Sequence, residues 1–290
     1  MGRPRTQLDL SLMNRPSISP VMALVPAYRA AEFIQPTLDA LSAQTHGALQ
    51  VLVSVDLCDD ATHAICERHA ARDPRFRVVR QTERLGWIGN SNFLLSQAQG
   101  DYALFAFHDD LLAPTYVAQL AAALDADPLA SVAYSDVLLT DAQGRQENWV
   151  YTALHNEPTA VLRGVRVLER RGQWWVPNRG LFRLALARQI GGLKTHGAGE
   201  FSADWPWVFH LALLGRFVRV PGQLCHKFYK ADSLSRSWDF SAQQNFEVHA
   251  ACMREIWNSH LSTPEKVFLA QPLMQWLAQN RKLGLPAPAA

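Results

Sequence analysis

The stretch VMALVPAYRAAEFIQPTLDALSAQTHGALQVLVSV, residues 21–55, decides the fold. Val21 to Val25 is an uninterrupted apolar run closed by Pro26, the pattern of a strand covered on both faces rather than one half-exposed to water. From Glu32 to Thr45, Ile34, Leu38 and Leu41 recur at helical spacing, and Pro36 falls in the first turn, where its missing N–H costs nothing. Val51 to Val55 is apolar again. Strand, helix and strand in so short a span form a βαβ unit, which demands a parallel pair and a right-handed crossover. The alternation continues through a helix at Thr62 to Ala71, a strand at Phe76 to Val79, a helix at Asn90 to Ala98 and a strand at Tyr102 to Phe107. The expected fold class is therefore α/β, with a single, mostly parallel sheet flanked by helices. In such sheets ligands lie beyond the carboxyl ends of the strands, which directs attention to Ala27, to Asp56 and to the run His108, Asp109, Asp110.

Composition agrees with one large core. At 290 residues, 48% hydrophobic and 19% charged, the chain is excluded from the disordered, collagen-like and disulfide-stapled classes. The 28 Lys and Arg against 26 Asp and Glu give a formal charge of +2, too mild for the basic face of a nucleic-acid binder. Cys58, Cys66, Cys225 and Cys252 show neither a C-x-x-C spacing nor a zinc-type pairing with His, so reduced thiols in a cytoplasmic setting are expected. Residues 1–20 are polar and Arg-bearing without an apolar signal stretch, and no run reaches the roughly 18 apolar residues of a spanning helix. The corresponding expectations are a flexible tail over 1–20 and a protein kept inside the cell.

Beyond residue 107 the pattern predicts a helix at Pro114 to Leu124, a strand at Val132 to Val137, a loop around Asp141 to Gly144, and an irregular Arg- and Trp-rich stretch from Trp149 to Trp175. GLFRLALARQIGG (180–192) follows. Trp207, Leu211 and Leu214 place a helix over Asp204 to Leu214, stopped by Gly215. Ser262 and Glu265 have capping-box spacing and open a helix from Pro264 to about Lys282.

Four segments carry residue types suited to chemistry. FAFHDD (105–110) runs an apolar strand straight into an imidazole and two carboxylates. Carboxylate oxygens suit a hard divalent ion, Mg²⁺ or Mn²⁺, which takes few protein ligands and leaves positions open for a diphosphate. A helix cap beside a solvated acid is the plainer alternative. In DLCDD (56–60) a carboxylate at a strand end can accept hydrogen bonds from a nucleobase imide or a ribose hydroxyl. Asp56 lies nearest the strand, whereas Asp59 or Asp60 is equally explained as an N-cap. RLGWIGNSN (84–92) spaces two glycines three apart before a helix, so its backbone N–H groups either face an anion or simply begin the helix. Asp204 opens its helix within FSADWPW (201–207), where the helix dipole favours the ionised carboxylate and the rings restrict water; an N-cap is the simpler reading.

Taken in order, these segments resemble the family 2 glycosyltransferases, inverting enzymes with the A-type nucleotide-sugar-binding fold, over roughly residues 21–235. VMALVPAYR (21–29) resembles the family's opening strand and its V-P-x-Y-N element. The strand ending in Asp56 is similar to the one leading to an acid that contacts the base. GDYALFAFHDD (100–110) is similar to the segment ending in the metal-binding D-x-D, and DWPWVFHLALLG (204–215) resembles the helix that begins with the catalytic-base Asp. The resemblance implies a Rossmann-like glycosyltransferase domain at 21–235, with a donor half at 21–140 and an acceptor half at 141–235, and a C-terminal helical extension at 236–290. It implies inverting transfer of a sugar from a nucleoside-diphosphate sugar, UDP-type favoured, to a hydroxyl of a glycan or lipid-linked acceptor in polysaccharide biosynthesis. Asp204 is the implied general base. Donor contacts are implied at Pro26, Ala27, Tyr28, Asp56, Gly86, Asn92, His108, Asp109 and Lys230, and acceptor contacts at Trp174, Trp175, Glu200 and Trp205. The implied cofactor is Mg²⁺ or Mn²⁺, held by Asp109, Asp110 and His108.

The chain also departs from the family pattern. Phe107 stands where the first Asp of D-x-D is usual, Leu57-Cys58-Asp59 replaces Asp-Gly-Ser, His210 replaces a common Arg, and Lys230 occupies the usual His position. These departures motivate the alternative of a non-catalytic binding or scaffold protein with a degenerate metal motif. A nucleotidyltransferase ranks below both, because PAYR (26–29) is not a basic glycine-rich loop. Trp149 joins Trp174 and Trp175 either as a flat platform for sugar faces or as packing. Arg163, Arg166 and Arg170, joined by Arg171, are spaced to share a helix face that either meets anionic headgroups at the inner face of the membrane or is simply solvated.

Overall fold

β1 (Val21–Ala27), α1 (Ile34–Ser42) and β2 (Leu49–Val55) form the expected βαβ unit in the computed structural model, which describes residues 18–169, 172–229 and 238–279. The winding continues through α2 (Thr62–Ala70), β3 (Phe76–Arg80), α3 (Gly86–Gln97) and β4 (Tyr102–Phe105). β1 pairs in parallel with β2 on one side and β4 on the other, and β2 pairs in parallel with β3. Every β1 residue except Met22 is buried, as the unbroken apolar run requires. The chain moves outward from β1 to β3 and then returns to place β4 on the far side of β1. That reversal opens a switch-point crevice at the carboxyl ends of β1 and β4.

Past β4 the sheet becomes mixed. The remaining elements are β5 (Asp110–Leu112), α4 (Tyr116–Ala126), β6 (Ala130–Thr140), β7 (Gln146–Trp149), α5 (Ala160–Leu168), a 3₁₀ turn at Val176–Arg179, β8 (Leu181–Arg183), α6 (Leu184–Ile190), α7 (Asp204–Leu214) and β9 (Arg216–Phe228). β8 runs antiparallel to both β4 and β6, β6 runs parallel to β9, and β5 runs antiparallel to β9. The described strands make one nine-stranded sheet in the order β3-β2-β1-β4-β8-β6-β9-β5, with β7 beside β6. The class is α/β as expected, but the all-parallel part is the first four strands. The three-residue β8 follows directly on a 3₁₀ turn, without the crossover helix that insertion parallel to its neighbours requires.

Local boundaries shift for identifiable reasons. α3 begins at Gly86 rather than Asn90, and Gly86 itself takes a φ of 73°, in the left-handed region that favours glycine. β4 stops at Phe105, leaving 106–109 as a loop that carries His108 and Asp109. The stretch expected to be irregular contains α5, whose Thr159 side chain caps the Leu162 N–H. Arg163 on α5 forms no basic face: it is buried, with Nε on the Ala212 carbonyl at 2.6 Å and Nη1 on the Pro158 carbonyl at 2.8 Å. Arg166 pairs with Glu169, and Arg170 and Arg171 lie outside the described residues. Among the described residues no helix is long and apolar enough to cross a membrane.

α7 spans the expected residues, and nine of its eleven are buried, as a helix apolar on every side must be. Gly215 ends it in an extended, not left-handed, conformation. Glycine is needed there because a Cβ would meet the Ser131 nitrogen at 2.7 Å and the Leu129 oxygen at 2.8 Å. α8 (Ala242–Asn258) packs on α7 and on α9 (Thr263–Gln279). A full capping box opens α8 at Ser241 and Gln244, which the sequence reading did not single out. At the expected box before α9, the Glu265 carboxylate accepts the Ser262 N–H at 2.9 Å. The predicted end of that helix at Lys282 lies outside the described residues.

A buried charge cluster fastens α8 to α7. The Glu255 carboxylate, 4% exposed, accepts from the Lys194 ammonium at 2.8 Å and from Nδ1 of His210 at 2.6 Å. Burial alone pushes the Glu255 carboxyl up, but the hydrogen bonds from His210 and Lys194 outweigh it and hold the pKa below its ordinary 4.5. A depressed carboxylate contributes stability above its unfolded pKa and loses that contribution as pH falls through the folded one. Glu255→Gln is therefore expected to lower unfolding free energy by about 1–3 kcal/mol at neutral pH, with the gap to the unsubstituted protein closing below the ordinary 4.5. Urea unfolding at pH 7 and pH 3.5 checks both.

Candidate active site

The switch-point crevice is a cavity of about 640 Å³. Pro26, Ala27 and Tyr28 line it from the end of β1, Asp56 from the end of β2, His108 and Asp109 from the loop after β4, and Asp204 from the start of α7. Four strand and helix ends separated by as many as 178 positions in sequence thus converge on one space.

At the β2 end, Asp56 is 1% exposed and surrounded by donors. One oxygen accepts the N–H groups of Leu57 and Leu85 at 3.0 and 2.8 Å, and the other accepts the Gly86 N–H at 3.0 Å and the Arg84 guanidinium. Arg84 also lies over the Tyr28 ring, 3.3 Å from its centroid. Glu200 accepts the Ile88 N–H at 3.0 Å. Two amides in the first turn of α3 are therefore already taken by carboxylates, Gly86 N–H by Asp56 and Ile88 N–H by Glu200, so Gly86 lines the cavity with its N–H committed. Asn92 is also placed away from the donor side. Its amide donates to the Leu193 carbonyl at 2.8 Å and accepts the Leu193 N–H at 2.9 Å, fastening α3 to the loop after α6.

On the β4 side, Nδ1 of His108 is 2.9 Å from the Pro26 carbonyl. A carbonyl only accepts, so Nδ1 donates there and Nε2 is the ring nitrogen left to meet a ligand. Phe33 stacks on the imidazole at 5.2 Å. Asp109 lines the cavity, but Asp110 does not: it is 2% exposed, with one oxygen 3.1 Å from Nε of Arg179 and the other 3.6 Å from the Lys227 ammonium. Asp110 thus belongs to a buried ion cluster and is withdrawn from the expected metal set. Among the described residues no three His, Cys, Asp or Glu side chains gather as a closed metal cage. Asp109 and Nε2 of His108 remain as donors, a set that suits an ion completing its shell with substrate oxygens.

Arg179 crosses the floor between two rings, 4.9 Å from the Phe107 centroid and 4.5 Å from that of Trp175. Burial opposes its charge, yet Asp110, with Asp109 and Asp204 beyond it, raises its pKa above the ordinary arginine value. Asn178, its neighbour in the 3₁₀ turn, donates from its amide to the Asp204 carboxylate at 3.4 Å. Asp204 occupies the first helical position of α7, one residue after the N-cap Ala203. The dipole of α7 favours its ionised form.

Trp174, Trp175 and Glu200 line the cavity. Trp149 packs edge-on against Trp175 at 4.6 Å. Trp205 does not line it: this ring is 0% exposed and donates Nε1–H to the Val167 carbonyl at 3.0 Å. Lys230 lies outside the described residues. Arg84, Asn178, Arg179 and Lys227 also line the cavity; NRGLFR (178–183) is similar to the acceptor-side portion of the family, but none of the four is assigned a role from sequence. Lys227 had one legible signal, a lone cation inside the strand LCHKFY (224–229).

Against this geometry, the family model for glycosyl transferase family 2 matches residues 22–173, just over half of the chain. The chain belongs to glycosyltransferase family 2. Among curated relatives, this family 2 chain is 28% identical over 100 residues to glycosyltransferase GlyA of Streptococcus pneumoniae serotype 4, covering 34% of this chain and 14% of that one. It is 34% identical over 116 residues to glycosyltransferase AglD of Haloferax volcanii, covering 38% of this chain and 18% of that one. The matches span from 14% to 36% of the lengths of the curated relatives. The fold of S. aureus TarS 1–349, solved in complex with UDP-GlcNAc, is similar at a TM-score of 0.68 with 20% identity, over 91% of this chain and 73% of that one. The mannosyltransferase PcManGT of Pyrobaculum calidifontis, solved with GDP-Man and Mn²⁺, superposes at 0.55 with 19% identity over 96% and 86%. At these identities the structural likeness shows a shared fold.

Proposed function

We propose that this chain is an inverting glycosyltransferase that moves a sugar from a nucleoside-diphosphate sugar to a hydroxyl of a glycan or lipid-linked acceptor. The observation that carries the reading is the joint lining of one cavity by the strand-end residues Tyr28, Asp56 and Asp109 and by the helix-start carboxylate Asp204. The Tyr28 face and the β2 end take the nucleoside, the loop at His108 and Asp109 takes the diphosphate, and Trp174 and Trp175 flank the acceptor. UDP is the favoured nucleotide, in line with the UDP-GlcNAc held by one fold neighbour. In this reading residues 21–140 form the donor half and 141–235 the acceptor half, with 236–290 as a helical extension.

Asp204 takes the proton of the acceptor hydroxyl, whose oxygen attacks the anomeric carbon as the bond to the nucleoside diphosphate breaks on the opposite face. Asn178 fixes the carboxylate during that transfer. Asp109 and Nε2 of His108 would hold the divalent ion, for which Mn²⁺ in a fold neighbour is a precedent. When bound, it offsets charge on the leaving diphosphate.

Calorimetric titration with UDP, GDP and dTDP, each with and without Mn²⁺, tests the donor assignment. Saturable binding of one nucleotide is the expected result, and no binding under any condition would overturn the reading in favour of a scaffold protein.

A further inference from the structure

We infer that Lys227 is a resident cation for the donor's diphosphate, so that this chain keeps part of its diphosphate affinity when divalent ions are removed. The inference rests on the nucleotide-sugar reading of the cavity. Antiparallel pairing sets Lys227 of β9 directly opposite Asp110 of β5, and its side chain, 9% exposed, lines the cavity floor beside Asp109. A buried ammonium is costly unless anions surround it.

The resident anions hold it without saturating it. Lys227 stands 3.6 Å from Asp110 and 3.9 Å from Asp109, within ion-pair range but beyond the usual 2.7–3.2 Å of an N–H···O hydrogen bond. Agreeing with this, Oδ1 of Asp110, the oxygen nearest Lys227, has no hydrogen-bond donor among the described residues although it is buried. The other oxygen of Asp110 is met by Arg179 at 3.1 Å. Arg179 therefore neutralises Asp110 from behind, and the three ammonium protons of Lys227 remain available for phosphate oxygens entering from the cavity. The Tyr229 ring, 5.4 Å away, restricts where the ammonium can go. A lysine acts here as a point charge, which suits a diphosphate whose oxygens turn during departure.

The test is titration calorimetry in EDTA, comparing UDP with uridine and GDP with guanosine, on the unsubstituted chain, on Lys227→Met and on Lys227→Arg. The unsubstituted chain is expected to bind its diphosphate about 10- to 100-fold more tightly than the matching nucleoside without metal, the range of one hydrogen bond to a charged group. Lys227→Met should erase that gap and leave nucleoside affinity unchanged, and Lys227→Arg should keep part of it. Equal diphosphate and nucleoside affinities in the unsubstituted chain, or a gap that survives in Lys227→Met, would overturn the inference. So would a drop in nucleoside affinity matching the drop for the diphosphate, which marks a purely structural lysine. Absence of all nucleotide binding even with Mn²⁺ would instead remove the donor reading beneath it.

Discussion

Asp204→Asn is expected to reduce sugar transfer by about 10²- to 10⁴-fold, the usual contribution of a positioned general base, and to leave UDP affinity unchanged. The substitution is close to isosteric. It keeps an oxygen that can accept from the Asn178 amide, now 3.4 Å from the carboxylate, and it removes only basicity and charge. Asp204 is the first residue of α7 and Ala203 is its N-cap, so the substitution leaves the N-cap residue itself unchanged. The lost charge at the helix N-terminus costs stability by about 0.3–1 kcal/mol, far less than the barrier increase of about 3–5 kcal/mol that the rate change represents. Turnover with UDP-sugar donors and calorimetry with UDP, run on the same preparation, separate the two quantities. Unchanged turnover would remove Asp204 from the base role, whereas loss of UDP binding would place it in the donor site.

What the sequence reveals about the fold is what local periodicity encodes. The continuous apolar run of β1 and the helical spacing of Ile34, Leu38 and Leu41 follow from burial within a few residues of chain, and both elements are where the pattern puts them. α7 is bounded by residues visible in the sequence, with Asp204 at its start and Gly215 after its end. The antiparallel insertion of β8 is not legible, because a three-residue strand carries no period and its partners β4 and β6 are remote in sequence.

The site divides in the same way. Strand-end positions such as Asp56 and Asp109 are legible, because a switch point is a property of the βαβ pattern. Which groups satisfy them is not: Arg84 reaches Asp56 across 28 positions, and Lys227 reaches Asp109 across 118. Adjacent residues also separate. Asp109 faces the cavity and Asp110 turns into the ion cluster beneath it, as successive residues entering a strand point to opposite sides. Trp174 and Trp205 differ for a related reason. α7 is apolar on every side, so no periodic face in its sequence tells that Trp205 turns away from the cavity that Asp204 lines.

Trp205→Ala is expected to lower unfolding free energy by about 3–5 kcal/mol, the cost of emptying a buried aromatic site. Set against the 5–15 kcal/mol that holds a typical domain together, this shifts the thermal midpoint by roughly 6–20 °C at the 2–4 °C per kcal/mol typical of chains of 150–250 residues. The ring is fully buried, packs edge-on to His249 at 4.9 Å, and donates Nε1–H to Val167 at 3.0 Å. It thereby joins α7 to the end of α5 and to α8, so its removal leaves a void that three helices must close. Trp205→Phe keeps most of the apolar volume and deletes the donor, for which about 1–3 kcal/mol is expected. Urea unfolding of both variants gives the two values, and acceptor KM measured well below the lowered midpoint should stay unchanged, because the ring does not line the cavity. Trp174→Ala, which does open the cavity wall, should instead raise acceptor KM with a smaller loss of stability. The opposite pattern, a raised KM in Trp205→Ala with normal unfolding, would put Trp205 against the acceptor and require α7 to present a different face. Since Asp204 directly precedes this ring, anchoring of the helix and aim of the proposed base are one packing problem, and kcat in Trp205→Phe should fall on warming before global unfolding begins.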